Sequence, residues 1–82
     1  MNYSFTIGFK FREKDYTAGV AIYSTSAFTF FQVNLNDEVL IKEFGPYLNF
    51  SRNALTDDSI VSLKLLPEEL ENSIATELRL VT

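Results

Sequence analysis

Steps of two pick out the first element. Tyr3, Phe5, Ile7, Phe9 and Phe11 are apolar, while Ser4, Thr6, Gly8 and Lys10 between them are small or polar. That is the period of a strand with one buried face. The polar turn Arg12-Glu13-Lys14-Asp15 separates it from a second run with Tyr16, Ala18, Val20 and Ile22 in phase. With Glu13 and Lys14 as a two-residue hairpin loop, Phe11 faces Tyr16, Phe9 faces Ala18, Ile7 faces Val20 and Phe5 faces Ile22. A slip of one residue would mix the faces, so the pattern selects a register of this parity. The same register sets Gly8 opposite Gly19, a bare spot on the other face. It reads as relief of twist, a bulge or cover by a ring, with close approach of a ligand or another backbone as the alternative.

The third run, Ser26 to Leu35, changes sides midway. With Ser24 to Ser26 as a three-residue loop, Phe28 and Phe30 join the apolar face, but Gln32 and Asn34 then follow them inward. Each buried amide left unpaired would cost on the order of 1–3 kcal/mol. A β-bulge at Phe30-Phe31 removes the conflict by shifting the phase, which returns Val33 and Leu35 to the core. The competing arrangement is a strand buried on both faces, with Phe31 lying over Gly19.

Val39 to Phe44 reads as a fourth strand of mixed phase, with Leu40 and Phe44 partnering Leu35 and Phe31. Gly45-Pro46 stops it. Tyr47 to Phe50 is a short extended piece, and residues 51–58 form the longest loop, with room for one helical turn. Ser59 to Leu66 is a fifth strand with Val61, Leu63 and Leu65 facing inward. A helix follows over residues 67–76: Pro67 suits its first position, and Glu68 and Glu69 suit the positive end of its dipole. Leu70, Ile74, Leu78 and Val81 form one apolar stripe. Ile74 to Val81 also alternates, so residues 77–82 stay open between helix and strand. The expected fold is α+β, one domain over residues 1–82. It is an antiparallel β-meander of about five strands, curved by a bulge near Phe30-Phe31, with one C-terminal α-helix packed on the apolar face.

Composition narrows the chemistry. The 82 residues are 46% hydrophobic, with eight Phe and four Tyr, and contain neither Cys nor His. No disulfide or zinc site supports so small a chain, so its core must come from apolar packing alone. Seven basic residues face eleven acidic ones, a formal charge of −4. That field repels phosphate, so neither nucleic acid nor an anionic membrane surface is expected as a partner. With an alternating N-terminus, no export signal and no cysteine, the expected compartment is the cytoplasm. Two Asn-X-Ser triplets, at Asn2 and Asn49, match a glycosylation acceptor that matters only on a secretory route.

Without His or Cys the usual nucleophile–base pairs are missing. Asp57-Asp58 lacks the further oxygen ligands of a calcium loop, and Asp37-Glu38 reads as a turn. Glu68, Glu69 and Glu71 read as a charged helix start, and Lys10, Arg12 and Lys14 are interleaved with acids. The glycines are scattered, with no phosphate-cradling spacing. No catalytic, cofactor-binding or metal-binding residue is therefore expected, and no cofactor. The aromatics supply the candidate surface: Tyr23 falls on the face away from the core, Phe31 neighbours it if the bulge is absent, and Tyr47 lies near a strand end. Tyr23, Phe31 and Tyr47 would form a contact surface. The functional expectation is a non-enzymatic domain that meets a protein partner or a second copy through a sheet edge or its back face. The alternatives are a binder of a small apolar ligand between sheet and helix, and a carboxylate-dependent enzyme.

Overall fold

Two residues with positive φ, Arg12 (53°) and Glu13 (64°), turn the first hairpin. The computed structural model describes residues 3–53 and 57–81. Strand β1 (Tyr3–Phe11) pairs antiparallel with β2 (Lys14–Ser24), with Phe11 opposite Lys14, Phe9 opposite Tyr16, Ile7 opposite Ala18 and Phe5 opposite Val20. The expected parity is kept, but the register is displaced, because Arg12-Glu13 rather than Glu13-Lys14 forms the loop. Left-handed conformations at both central positions match the twist of the flanking strands. This register sets Lys10 opposite Asp15 and stacks Tyr16 on Phe9, ring centroids 5.6 Å apart. Gly8 therefore faces Thr17, and Gly19 faces Thr6; the two glycines are not opposed.

The phase conflict in the third run is settled in its turn. β3 (Phe28–Leu35) pairs with β2 so that Ser24 faces Thr29, Ile22 faces Phe31, Val20 faces Val33 and Ala18 faces Leu35. The loop is one residue longer than expected, Thr25 to Phe28, with the Thr25 N–H donating to the Phe28 carbonyl at 2.8 Å. One residue in the loop inverts the whole strand. Phe31, Val33 and Leu35 face the core, Gln32 and Asn34 face out, and Phe28 and Phe30 face out with them. The pairing of β3 with both neighbours runs unbroken through Phe30 and Phe31, so the expected bulge there is absent. The register shift of this sheet lies instead between Arg52 and Asn53.

Residues 38–44 are a helix, not a fourth strand. In α1 (Glu38–Phe44), Asp37 is the N-cap, its Oδ2 accepting from the Val39 and Leu40 N–H groups at 3.1 Å each. Leu40 and Phe44, one turn apart, are both buried, and Gly45 (φ 93°) ends the element. The short extended piece grows into β4 (Tyr47–Asn53), which takes up the start of the expected loop. β5 (Asp57–Ser62) completes the sheet. Of the expected loop over residues 51–58, with room for one helical turn, residues 51–53 and 57–58 are strand, while residues 54–56, like Asn2 of the first triplet, lie outside the described residues. The inward parity is the reverse of that expected: Ile60 of β5 is buried, whereas Val61 of β5 and Leu63 and Leu65 beyond its end are 48%, 60% and 98% exposed. Pairing decides it, since Arg52 faces Ile60 and outward-facing Ser51 faces Val61. The chain then leaves the sheet at Ser62, whose Oγ accepts from the Lys64 N–H.

The sheet order is β1-β2-β3-β4-β5, all antiparallel, curled into a half-barrel. Helix α2 (Glu68–Leu80) lies across its open side and extends beyond the expected residues 67–76. Leu70, Ile74 and Leu78 are fully buried against Phe11, Phe31, Leu48 and Phe50, and Val81 lies outside the stripe, 47% exposed. Among the described residues the buried set contains no polar side chain.

α2 also covers both sheet edges. Ser73 Oγ accepts the Lys10 N–H and Glu69 Oε2 the Arg12 N–H, each at 3.1 Å, along the edge of β1. On the edge of β5, Glu71 Oε2 accepts the Ser62 N–H at 2.8 Å. The spacing explains the fit: four helical residues rise about 6 Å, close to the roughly 6.7 Å of two strand residues. Glu69 and Ser73 thus meet Arg12 and Lys10 in step.

Two stability outcomes follow. Phe31→Ala should cost about 3–5 kcal/mol in urea unfolding, whereas Phe30→Ala should cost about 1 kcal/mol or less; equal costs would contradict the inverted phase. Ser73→Ala should accelerate amide exchange at Lys10 selectively, leaving the amide of Phe9, which faces β2, protected; unchanged exchange at Lys10 would remove α2 as the cap of that edge.

Candidate functional site: the convex sheet face

Because successive strand residues alternate faces, fixing the core fixes the outer surface as well. Four rows cross the convex face. Phe28 stands beside Asn53; Tyr23, Phe30, Ser51 and Val61 make the next row; Ala21, Gln32 and Asn49 the third; Thr6, Gly19, Asn34 and Tyr47 the fourth. None of these residues is charged, in a chain that is 22% charged; Asp57, paired with Asn53, is the acid at the end of the Phe28 row. Lys10 and Asp15 lie beyond the rows, at the first hairpin.

An aromatic ridge crosses this face at the second hairpin. Tyr23 and Phe30 are cross-strand partners with ring centroids 6.3 Å apart, and Phe28 stands 5.8 Å from Phe30, the planes inclined by 28° and 20°. Tyr23 is 55% exposed and Phe28 39%. The hairpin that carries them is held by Thr25, whose Oγ1 accepts from the Ala27 and Phe28 N–H groups at 3.4 and 3.1 Å. Next to the ridge the side chains shrink. A shallow hollow of about 240 Å³ opens there, with Ala21 at its floor, Tyr23 and Phe30 on one side, and Gln32 and Asn49 on the other. Asn34 is tied to the sheet, its Nδ2 donating to the Gly19 carbonyl at 3.3 Å.

Of the candidate surface residues, Tyr23 sits in the ridge. Phe31 is 1% exposed and belongs to the core, so it leaves the surface; Phe30 stands where it was expected. The reason is the inverted phase of β3, which turns odd-numbered residues inward. Tyr47 is 53% exposed on the same face, but two rows from Tyr23, about 13 Å along the strands. Phe28, Phe30 and Val61 were missed. A steady two-residue step backward from Leu35 through Val33 and Phe31 was the signal that separates Phe28 and Phe30 from the core.

Other polar groups do not converge. A second groove of about 510 Å³ runs between β1, β2 and α2, with Lys10, Asp15 and Glu77 on its walls. Asp57 and Asp58 begin β5 rather than sitting in a loop. Glu68 and Glu69 are exposed at the start of α2, and Glu71 is half-buried on the β5 edge. Among the described residues no group of three or more acidic side chains gathers as a metal site, and no helix is long and apolar enough to cross a membrane. The strongest charge contact is structural. Arg12 forks onto Glu43 of α1, with N–O distances of 2.9 and 2.8 Å, and its guanidinium lies 4.5 Å from the centre of the Phe11 ring. This hydrogen-bonded pairing holds the Glu43 carboxyl below its ordinary range and raises the Arg12 guanidinium. Comparison with protein-family models, curated proteins and solved structures finds no match to this chain, so the face must be read from its own chemistry.

Because Glu43 titrates lower in the folded chain than in the unfolded one, its contribution is present above the ordinary carboxylate range and lost as pH falls through the folded value. Glu43→Gln should therefore lower the melting temperature at neutral pH. The gap from the parent should close as pH drops below about 4. A gap that persists in acid would mean the side chain acts by packing alone.

Proposed function

We propose that this chain is a small non-enzymatic interaction domain whose convex sheet face receives a protein partner. The observation that carries the reading is an aromatic ridge on a stretch of sheet face, from Tyr23 and Val61 to Thr6 and Tyr47, whose residues are uncharged in an otherwise charged small chain. Protein interfaces are depleted of charge at their centre and enriched in Tyr and Phe. Solvated surfaces of small domains ordinarily carry charge over about a quarter to a third of their positions. Tyr23, Phe28 and Phe30 act as anchors, with Val61 extending the apolar area across small Ser51. The sheet edges contribute less, because α2 caps amides on both of them. The acidic balance of the chain favours a protein over a nucleic acid, and its lack of cysteine fits the cytoplasm. An apolar ligand between sheet and helix would need the space that Leu70, Ile74 and Leu78 already fill.

Replacing Tyr23 and Phe30 together with Ala removes most of the ridge while leaving the core untouched. The double variant should melt within a few degrees of the parent and lose partners that the parent captures from its native cell extract. Retention of every partner by the folded double variant would defeat this reading.

A further inference from the structure

We infer that the partner is a second copy of this chain, docked on the same convex face about a two-fold axis between Phe30 and Gln32. The inference rests on reading that face as a contact surface; two features of the face point to self-pairing, and a third sets its strength.

The first is charge. Two copies that each carry −4 repel one another at long range, so a self-interface must keep acids out of the seam. The convex rows do this: from Thr6 across to Val61 they hold amides, hydroxyls, small residues and rings. A basic partner would be steered by acids at the docking site, and among the described side chains of these rows there are none.

The second is shape. An isologous interface needs a projection and its receptor on one surface, side by side. The ridge of Tyr23, Phe28 and Phe30 adjoins the hollow over Ala21, between Tyr23, Phe30, Gln32 and Asn49. The hollow measures about 240 Å³. A two-fold axis that lies in the seam and runs diagonally from Tyr23 past Gln32, crossing β3 between Phe30 and Gln32, lays the Phe30 ring of each copy over Ala21 of the other. Gln32, exposed beside the axis, then meets its own counterpart, and neutral amides tolerate that meeting as donor and acceptor.

The third is size. Three strands about 4.8 Å apart and four rows about 6.7 Å apart give on the order of 400 Å² per copy. The curl of the sheet keeps the outer strands from adding much. A standard stable interface buries about 800 Å² per partner, so this pair is weak and forms at high concentration.

Sedimentation equilibrium from about 20 μM to about 1 mM at low salt tests this, on the parent, Gln32→Glu, Gln32→Lys and an equimolar mixture of the two variants. The parent should show a rise in mean mass towards the dimer across this range. Each single variant places like charges across the axis and should weaken association at least tenfold, and the mixture should restore it. The position is exposed, so circular dichroism should show the parent fold in both variants. A parent that stays monomeric at 1 mM, or a dimer indifferent to both charges, overturns the inference. If that monomer still captures a foreign protein, and loses it when Tyr23 and Phe30 are replaced, only self-pairing has failed. If the ridge variant changes neither assay, the contact reading fails with it.

Discussion

A sheet of five strands in an 82-residue chain has only α2 and the short α1 to cover it, so the fold depends on which parity of each strand is turned towards them. The choice is binary along each strand and is passed from neighbour to neighbour by the turns. β1 sets it through Ile7, Phe9 and Phe11. The Arg12-Glu13 turn carries it to Ala18, Val20 and Ile22, and the Thr25–Phe28 loop carries it to Phe31, Val33 and Leu35. β4 answers with Leu48 and Phe50. An error at any one turn would have presented amides to the core.

Helix α2 closes the assembly in two ways at once. Its apolar stripe fills the concave side, and its polar flanks supply acceptors to both exposed edges. The first is burial, the larger contribution; the second satisfies backbone donors that a meander leaves open and that would otherwise recruit other strands. The same glutamates therefore carry a meaning that composition hides. Glu69 and Glu71 read as dipole complements in the sequence, and in three dimensions they also act as substitutes for missing neighbouring strands. Arg12 works similarly: its backbone is held by α2, its guanidinium by Glu43 of α1, and its flat face lies against Phe11. One turn thus joins three elements at the closed end of the half-barrel.

The class of fold, the first two strands, their parity and the C-terminal helix were legible because each rests on a periodic pattern longer than its ambiguities. What was not legible rests on turn length and on pairing. No Gly or Asn marks Arg12-Glu13 as a left-handed turn, so the hairpin was placed one residue late. The loop after Ser24 was one residue short, and the resulting wrong parity was repaired with a bulge that the strand does not need. Helix α1 is too short to show a full apolar stripe, although Asp37 before Leu40 and Phe44 carries its cap and its buried pair. β5 takes its parity from β4, a non-local constraint that Val61, Leu63 and Leu65 contradict when read alone. Tyr23 was recognisable as outward-facing, whereas Phe31 and Phe30 exchanged places with the parity of β3.

That exchange ties the core to the candidate site. Once Phe31, Val33 and Leu35 are inside, Phe28 and Phe30 must stand outside, and no local adjustment can bury both sets. A small domain has little stability to spare, and a fully buried Phe is worth about 1.5–3 kcal/mol. Polar residues at positions 28 and 30 would serve solubility better and cost the core nothing, since Gln32 and Asn34 already occupy the same side of the strand. Instead two rings remain there and a tyrosine from β2 stacks on them, with small residues at Ala21, Gly19 and Ser51 clearing the ground beside them. Cross-strand stacking of this kind steadies a sheet, and the same rings with cleared ground beside them are what the proposed contact reading of the convex face rests on.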